Sequence, residues 1–485
     1  MKKSLNFVII GVLAMASFSC KKQTFDDSGI PIIVAPPTGT TGIISPRVVY
    51  VSTTGDDSRS KGQAINPATP WKTIQKAANS IAPGDTVMIF GGTYNEKVTL
   101  PISCNGTSTA QTVFRNVPGS PVILDGANGG EVYEGLVNMN GGNFITLKGI
   151  KTQNVRWYGF NVGNSNNITI DSCQTFNTGA SGIYCVRGTN INITNNNVRR
   201  ACQQAFRESN GNGTQECISV VTTGNFIISR NEVWDSTIPG AAGGEGIDAK
   251  SACFNGEISN NYVHDIMPLG IYLDAGSGIE KNIRVFNNRV INTAGVSVAG
   301  ELGGHAMDLY FYNNIIRDSK STGFSFGNTG NGRFSNIYVV NNTFINNATT
   351  VNFSGEIANY NTNPLHTNLV IRNNIIYNKG SNYKFSFFTN LLAPFVISNN
   401  LYVDFKPGLS GGINNFTTAN LTAADVLTDP LFTNLIIGDL TLQAASPAIN
   451  KGVIINAPSS TTPLFTTDYN GKVRTGVWDM GAFEF

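Results

Sequence analysis

The chain has 485 residues, of which 13% are charged, and a formal net charge of +2. That balance excludes the basic footprint of a nucleic-acid-binding protein. With three histidines and neither an HExxH nor a GxSxG motif, zinc-protease and serine-hydrolase chemistries have nothing to rest on.

The first segment reads as an export signal. Lys2 and Lys3 form its charged start, and Leu5 to Phe18 is an apolar run too short for an ordinary membrane span. Ser17-Phe18-Ser19-Cys20 resembles a bacterial lipobox, so residues 1–19 are expected to be removed and Cys20 lipidated. Lys21 does not match an inner-membrane retention signal, which points to the outer membrane or cell surface of a gram-negative bacterium. Residues 20–46 are broken by Pro and Gly and read as a tether. Six further cysteines follow; Cys202 and Cys217 bracket an apparent loop and are the best candidates for a disulfide.

Folding begins with a strand at Val48–Ser52, followed by a Gly/Asp/Ser loop from Gly55 to Gly62. One short helix is expected next, with Thr69 as N-cap, Pro70 at its first position, and Ile74, Ala77, Ala78 and Ile81 on one face. A solenoid end exposes apolar surface and unpaired strand edges, and such a helix suits a cap.

From residue 131 to 405 a single pattern recurs. Aligned on the last residue of an Asn-Asn step, Ile150, Cys173, Asn196, Asn231, Asn261, Asn288, Asn314, Asn342, Asn374 and Asn400 mark successive coils. Intervals near 23 residues define the bare coil, and longer ones carry insertions such as Glu208–Gln215 and Thr237–Gly244. An Asn at each turn can take the left-handed conformation and stack its amide on the next coil. The reading is an all-β parallel solenoid, with residues 47–130 as cap and first coils and 406–485 as a C-terminal segment.

Tyr50-Val51-Ser52, Trp71-Lys72-Thr73-Ile74, Pro83-Gly84-Asp85-Thr86-Val87 and Gly92-Thr93-Tyr94 resemble the N-terminal portion of bacterial right-handed parallel β-helix proteins. That group includes pectate lyases and the chondroitinase B and alginate lyase kind. Asp429-Pro430, Ser446-Pro447 and Asp479-Met480-Gly481-Ala482-Phe483 are similar to the C-terminal segment of many secreted β-helix proteins. The resemblance implies a single-stranded right-handed β-helix that meets a polysaccharide.

Alternate strand residues face outward. Aligning Gly182-Ile183-Tyr184, Ala205-Phe206-Arg207, Gly246-Ile247-Asp248, Gly270-Ile271-Tyr272, Gly295-Val296-Ser297 and Gly323-Phe324-Ser325 gives an outward column of Tyr184, Arg207, Asp248, Tyr272, Ser297 and Ser325. Lys250 and Asp274 share a second column, where they could also form a plain surface ion pair. Two chemistries fit, and β-elimination of a uronate polysaccharide is favoured over glycoside hydrolysis. In β-elimination, Lys250 or Tyr272 is base or acid, Arg207 partners the substrate carboxylate, and Glu216, Glu245 and Asp248 are candidate Ca²⁺ ligands. In hydrolysis, Asp248 and Asp274 lie roughly 8 Å apart by strand spacing, within the inverting range of about 6.5–9.5 Å. Tyr184, Tyr272 and Trp234 are candidates to stack sugars, and Glu301 and His305 to bind substrate. A glycan-binding surface solenoid without catalysis is the third reading. The expected partners are a polysaccharide and, through Cys20, a membrane; the chain is expected to be a monomer.

Overall fold

The computed structural model describes residues 47–131, 133–203, 216–236, 243–327, 329–349, 355–379, 385–387, 394–405 and 416–485. The export signal, Cys20, the tether, Arg207 and the insertion residues 208–215 and 237–242 lie outside the described residues. None of the described helices is long and apolar enough to cross a membrane.

Among the described residues, three parallel sheets of 13, 11 and 12 strands run the length of the molecule. The first begins with Val48–Val51 and ends with Phe395–Ser398; the second runs from Val98–Leu100 to Phe385–Phe387; the third from Gly92–Tyr94 to Leu401–Val403. Each strand pairs with its equivalent one coil earlier and one coil later. Inside, the apolar residues of each sheet stack on their equivalents. Phe160, Ile183, Ile218, Ile247, Ile271, Val296, Phe324 and Ile357 form one such file in the second sheet, all buried. The Gly-apolar alignment of the sequence puts Ile183, Phe206, Ile247, Ile271, Val296 and Phe324 in one inward file; the register keeps all but Phe206, whose place Ile218 takes.

The asparagine steps divide their labour. The first residue of each step, such as Asn195, Asn260, Asn287 or Asn313, takes the left-handed conformation. The second points inward and builds a buried ladder. Asn261 Nδ2 donates to Asn288 Oδ1 at 3.0 Å and to the Ile228 carbonyl at 2.9 Å, and its backbone N–H donates to the same Asn288 oxygen at 3.0 Å. The same three bonds recur from Asn196 through Asn374. At the far end the backbone N–H of Asn400 donates to Asp425 Oδ1 at 2.8 Å, which closes the series. The stacking amide is thus the second residue of the step, and the left-handed turn belongs to the first.

The N-terminal cap differs from expectation. Its main helix is Ile74–Ser80 with Thr73 as N-cap, and Glu96 accepts from the N–H groups of Ile74 and Gln75. Pro70 lies outside it because Trp71 is drawn into a parallel bridge with Val51. Ile74, Ala77, Ala78 and Ile81 are nonetheless the buried side chains. A second helix, Lys61–Ala64, starts at the end of the expected loop and runs past Gly62, with a capping box of Ser60 and Gln63 at its start. The six described cysteines are all thiols. Cys202 and Cys217 hydrogen-bond as neighbours, so the expected pair is adjacent but not joined.

The C-terminal segment straps the side of the last coils. Outward amides of the turn asparagines hold it: Asn313, Asn341 and Asn373 donate to the carbonyls of Thr467, Asp479 and Val453. Buried Arg474 donates to Asn313 Oδ1 and to Glu484 at 2.9 Å each.

The inner ladder is expected to dominate stability. Asn288→Ala would orphan buried donors and carbonyls on two neighbouring coils, at a cost on the order of 3 kcal/mol. Asn255→Ala, in the exposed outer amide ladder with Asn225 and Asn282, should cost less, about 1–2 kcal/mol, mainly because Ala tolerates its left-handed backbone (φ 53°) worse than Asn does. Apparent melting temperatures of the two variants check this ordering.

Candidate active site

The second sheet carries the charged column. Its outward residues run Asn138, Asn161, Tyr184, Ser219, Asp248, Tyr272, Ser297 and Ser325, each directly opposite the next. Lys250 faces Asp274 in the neighbouring column. Ser219 fills the slot expected for Arg207. The insertion lies between Asn197–Arg199 and Ile218–Val221, so Ala205-Phe206-Arg207 falls within it and Cys217-Ile218-Ser219 forms the coil. The glycine slot before each strand explains the misalignment: a Cβ on Gly246 would meet the Gly270 carbonyl oxygen at 2.5 Å. Cys217 nevertheless occupies that slot one coil earlier, and a search for Gly or Ala passes over it.

Glu216 and Glu245 sit at equivalent positions, two residues before Ile218 and Ile247. The Lys250 ammonium reaches back to Glu216 in a short ion pair and lies 3.8 Å from Asp248 Oδ2. It makes no ion pair with Asp274, contrary to the bland reading of that column. Glu216 Oε2 also accepts from Ser219 Oγ at 2.7 Å. On the next coil, Asp274 Oδ1 accepts from the backbone N–H groups of Gly276 and Glu301, both at 2.9 Å. Tyr272 donates its hydroxyl to Glu301 Oε1 at 2.7 Å.

These side chains point away from the solenoid core and yet are mostly shielded from solvent; Asp248 is 1% exposed. Burial, reinforced by Glu216, pushes Asp248 well above the usual carboxylate range. The same two causes raise Glu245 to about 7. Asp248 Oδ1 has no hydrogen-bond partner among the described residues. Burial alone would lower Lys250, but Glu216 and then Asp248 outweigh it and hold the ammonium well above its ordinary value. Tyr272 is raised by burial, Asp274 and Glu301. Both expected bases of an elimination therefore keep their protons in this arrangement.

The Ca²⁺ expectation does not fit. Lys250 stands between Glu216 and Asp248 where a cation would be, and among the described residues no three His, Cys, Asp or Glu side chains are placed to hold a metal ion. Two of the expected sugar contacts lie elsewhere. Trp234 is on the third sheet, between the Arg199 guanidinium at 4.2 Å and the His264 ring at 5.5 Å. His305 opens a strand of the first sheet and bonds Ser335. Tyr184 does lie on the second sheet, stacked on Tyr158 with centroids 4.6 Å apart.

Glu280 was missed because it reads as one more charge on a strand. It points inward, 0% exposed, and neither carboxyl oxygen finds a hydrogen bond among the described residues. Burial, then Asp274, raises it well above the usual range.

Residues 49–231 match the model of a family described as the Pel9A-like right-handed β-helix region. The match includes Glu216 and Ser219 and ends before Glu245. A Bacillus subtilis (strain 168) protein, the uncharacterized YwoF, is 26% identical over 357 residues, which cover 64% of this chain and 70% of that one. Among solved structures, the complex of XylC with xylose aligns over 90% of this chain and 98% of its own, with a TM-score of 0.55 and 12% identity. Pectate lyase Pel9A covers 91% of this chain and 97% of its own at a TM-score of 0.49 and 15% identity. The fold is a right-handed parallel β-helix.

A buried carboxyl whose folded pKa is raised binds its proton more tightly folded than unfolded. Glu280 therefore erodes stability as pH rises from about 4.5 toward its raised folded value. Glu280→Met should melt higher than the parent at pH 7 and show a shallower decline between about pH 5 and 8. Thermal midpoints across that range measure it.

Proposed function

We propose that this protein is a carbohydrate-active enzyme that hydrolyses glycosidic bonds of a polysaccharide on the outer face of its second sheet. The observation that carries the reading is Asp248. It is buried, held toward its protonated form, and has an oxygen with no partner among the described residues, so it is suited to give a proton to a leaving glycosidic oxygen. Asp274 lies on the next strand, offset by two residues and fixed by two backbone N–H groups. At roughly 8 Å by strand spacing there is room for a water, which Asp274 would deprotonate as it attacks the anomeric carbon. The proton from Asp248 leaves on the departing hydroxyl, and the configuration inverts. Lys250 pairs with Glu216 beside Asp248, and Tyr272 orients Glu301. An export signal with a lipidated Cys20 would put this chemistry at the cell surface, where extracellular glycans are met.

β-Elimination is the second reading, favoured by the Pel9A-like match over residues 49–231. It needs Lys250 or Tyr272 to release a proton that its surroundings hold.

Incubation with a panel of plant and algal polysaccharides should yield new reducing ends without absorbance near 232 nm. Asp248→Asn should lower the rate at least about 100-fold, with the melting temperature maintained. An absorbance rise at 232 nm that survives Asp248→Asn and disappears in Lys250→Met would overturn hydrolysis in favour of elimination.

A further inference from the structure

The C-terminal segment carries a feature that the candidate site does not use. Phe432–Asn434 and Asp439–Leu442 form an antiparallel hairpin. Phe432, Leu440 and Leu442 pack on outward side chains of the third sheet, among them Ile315, Ile345 and Ile375. The turn between the two strands is Leu435-Ile436-Ile437-Gly438. Leu435 folds back onto that apolar cluster, but Ile436 and Ile437 stand 95% and 76% exposed. Turn centres ordinarily take Gly, Pro, Asn, Asp or Ser. Two adjacent isoleucines held out in water at a tip serve neither the turn nor the core, and mark a contact surface.

The backbone of the tip is already satisfied from within. The N–H groups of Ile436 and Ile437 donate to Asn434 Oδ1 at 3.2 and 3.4 Å, and that of Gly438 donates to the Leu435 carbonyl at 3.2 Å. A tip whose donors are paired internally can leave water without orphaning them.

Cations flank the tip. Arg289 and Arg317, from successive strands of the third sheet, converge on the turn: a Cβ on Gly438 would lie 3.7 Å from Arg289 Nη2 and 3.9 Å from Arg317 Nη1. With Asp439, Thr441 and Asn470 they line a pocket of about 200 Å³. The Arg289 guanidinium is carried over the Tyr262 ring at 5.2 Å, and Arg317 Nε donates to Asp318 Oδ2 at 2.8 Å. Their terminal nitrogens have no hydrogen-bond or ion-pair partner among the described residues. Asp439, the carboxylate in the lining, is engaged by the Thr441 N–H at 3.2 Å and hydroxyl at 2.6 Å. Two guanidinium groups with free ends suit a phosphate oxyanion. The pocket is smaller than the roughly 300–1,000 Å³ of a drug-sized ligand site, so it takes an end group and not a whole molecule.

We propose that this hairpin docks on a phospholipid surface, with Ile436 and Ile437 among the upper acyl chains and Arg289 and Arg317 on a headgroup phosphate. An apolar wedge flanked by cations is the composition of an interfacial anchor. Asp248 lies on another sheet, so docking leaves the candidate active face to solvent. The inference stands independently of the hydrolase reading. A lipidated Cys20 would bring the protein to a membrane, and the hairpin would set which face it turns toward it.

The test is co-sedimentation of the mature chain, starting at residue 20 and carrying Cys20→Ser so that no acyl group contributes, with vesicles of phosphatidylethanolamine and phosphatidylglycerol. The chain should partition onto the vesicles. Ile436→Ser with Ile437→Ser should lower the partition coefficient at least about tenfold, and Arg289→Gln with Arg317→Gln should do the same. Both variants should keep the parent melting temperature, and Asp248→Asn should bind vesicles as the parent does. Failure to bind vesicles, or binding that neither double variant weakens, overturns the proposal. Binding lost with the arginines, kept without the isoleucines and displaced by inorganic phosphate would make this a site for free oxyanions and overturn membrane docking.

Discussion

The inner asparagine ladder sets the geometry on which everything else depends. A parallel solenoid must turn the chain several times per coil, and each turn buries backbone groups that no strand partner can satisfy. Here one carboxamide per coil bonds the next coil's amide and a backbone carbonyl below it. Because each oxygen accepts from both a backbone and a side-chain N–H, a coil cannot slip in register without orphaning buried groups on two neighbours. The insertions between coils vary in length, yet the ladder continues through them from Asn196 to Asn400.

Fixed register has a chemical consequence. Residues far apart in sequence are held one coil apart, about 4.8 Å, without any flexible element between them. Glu216 and Glu245 share a slot, and Asp248 and Lys250 ride on the same strand. Carboxyls crowded in this way repel one another, and burial raises that cost. The Lys250 ammonium compensates Glu216 directly, while burial beside Glu216 pushes Asp248 toward its protonated form and so lessens the repulsion. The stiffness that stabilises the solenoid also holds Asp248 in surroundings that favour its proton.

Much of this was legible in the chain. The Asn-Asn spacing located every coil from Asn196 onward, and Gly followed by an apolar residue located the inward file and the columns of Asp248, Lys250, Tyr272 and Asp274. The errors have separate causes. In the sequence Arg207 aligns with the strand positions because Ala205 satisfies the small-residue rule that Cys217 breaks. Trp234 reads as a sugar platform because aromatic content does not reveal which of three sheets a strand joins; it sits in a stack between Arg199 and His264. Thr69 and Pro70 form a good helix start locally, but the parallel bridge of Trp71 to Val51 takes those residues into extended structure. From the sequence, Lys250 reads either as a candidate base or as a plain surface partner of Asp274. Only the three-dimensional register shows that the preceding coil supplies Glu216.

That partner choice also decides which chemistry the site favours. A lysine that abstracts a proton must spend time neutral, and an adjacent carboxylate works against this by stabilising the ammonium. A general acid must hold a proton near neutral pH, and burial beside another carboxylate produces that state. Lys250 and Asp248 experience the same Glu216 from neighbouring positions: it suppresses the base and promotes the acid. A single glutamate, Glu216, thus supports the proposed protonation of a leaving group over elimination.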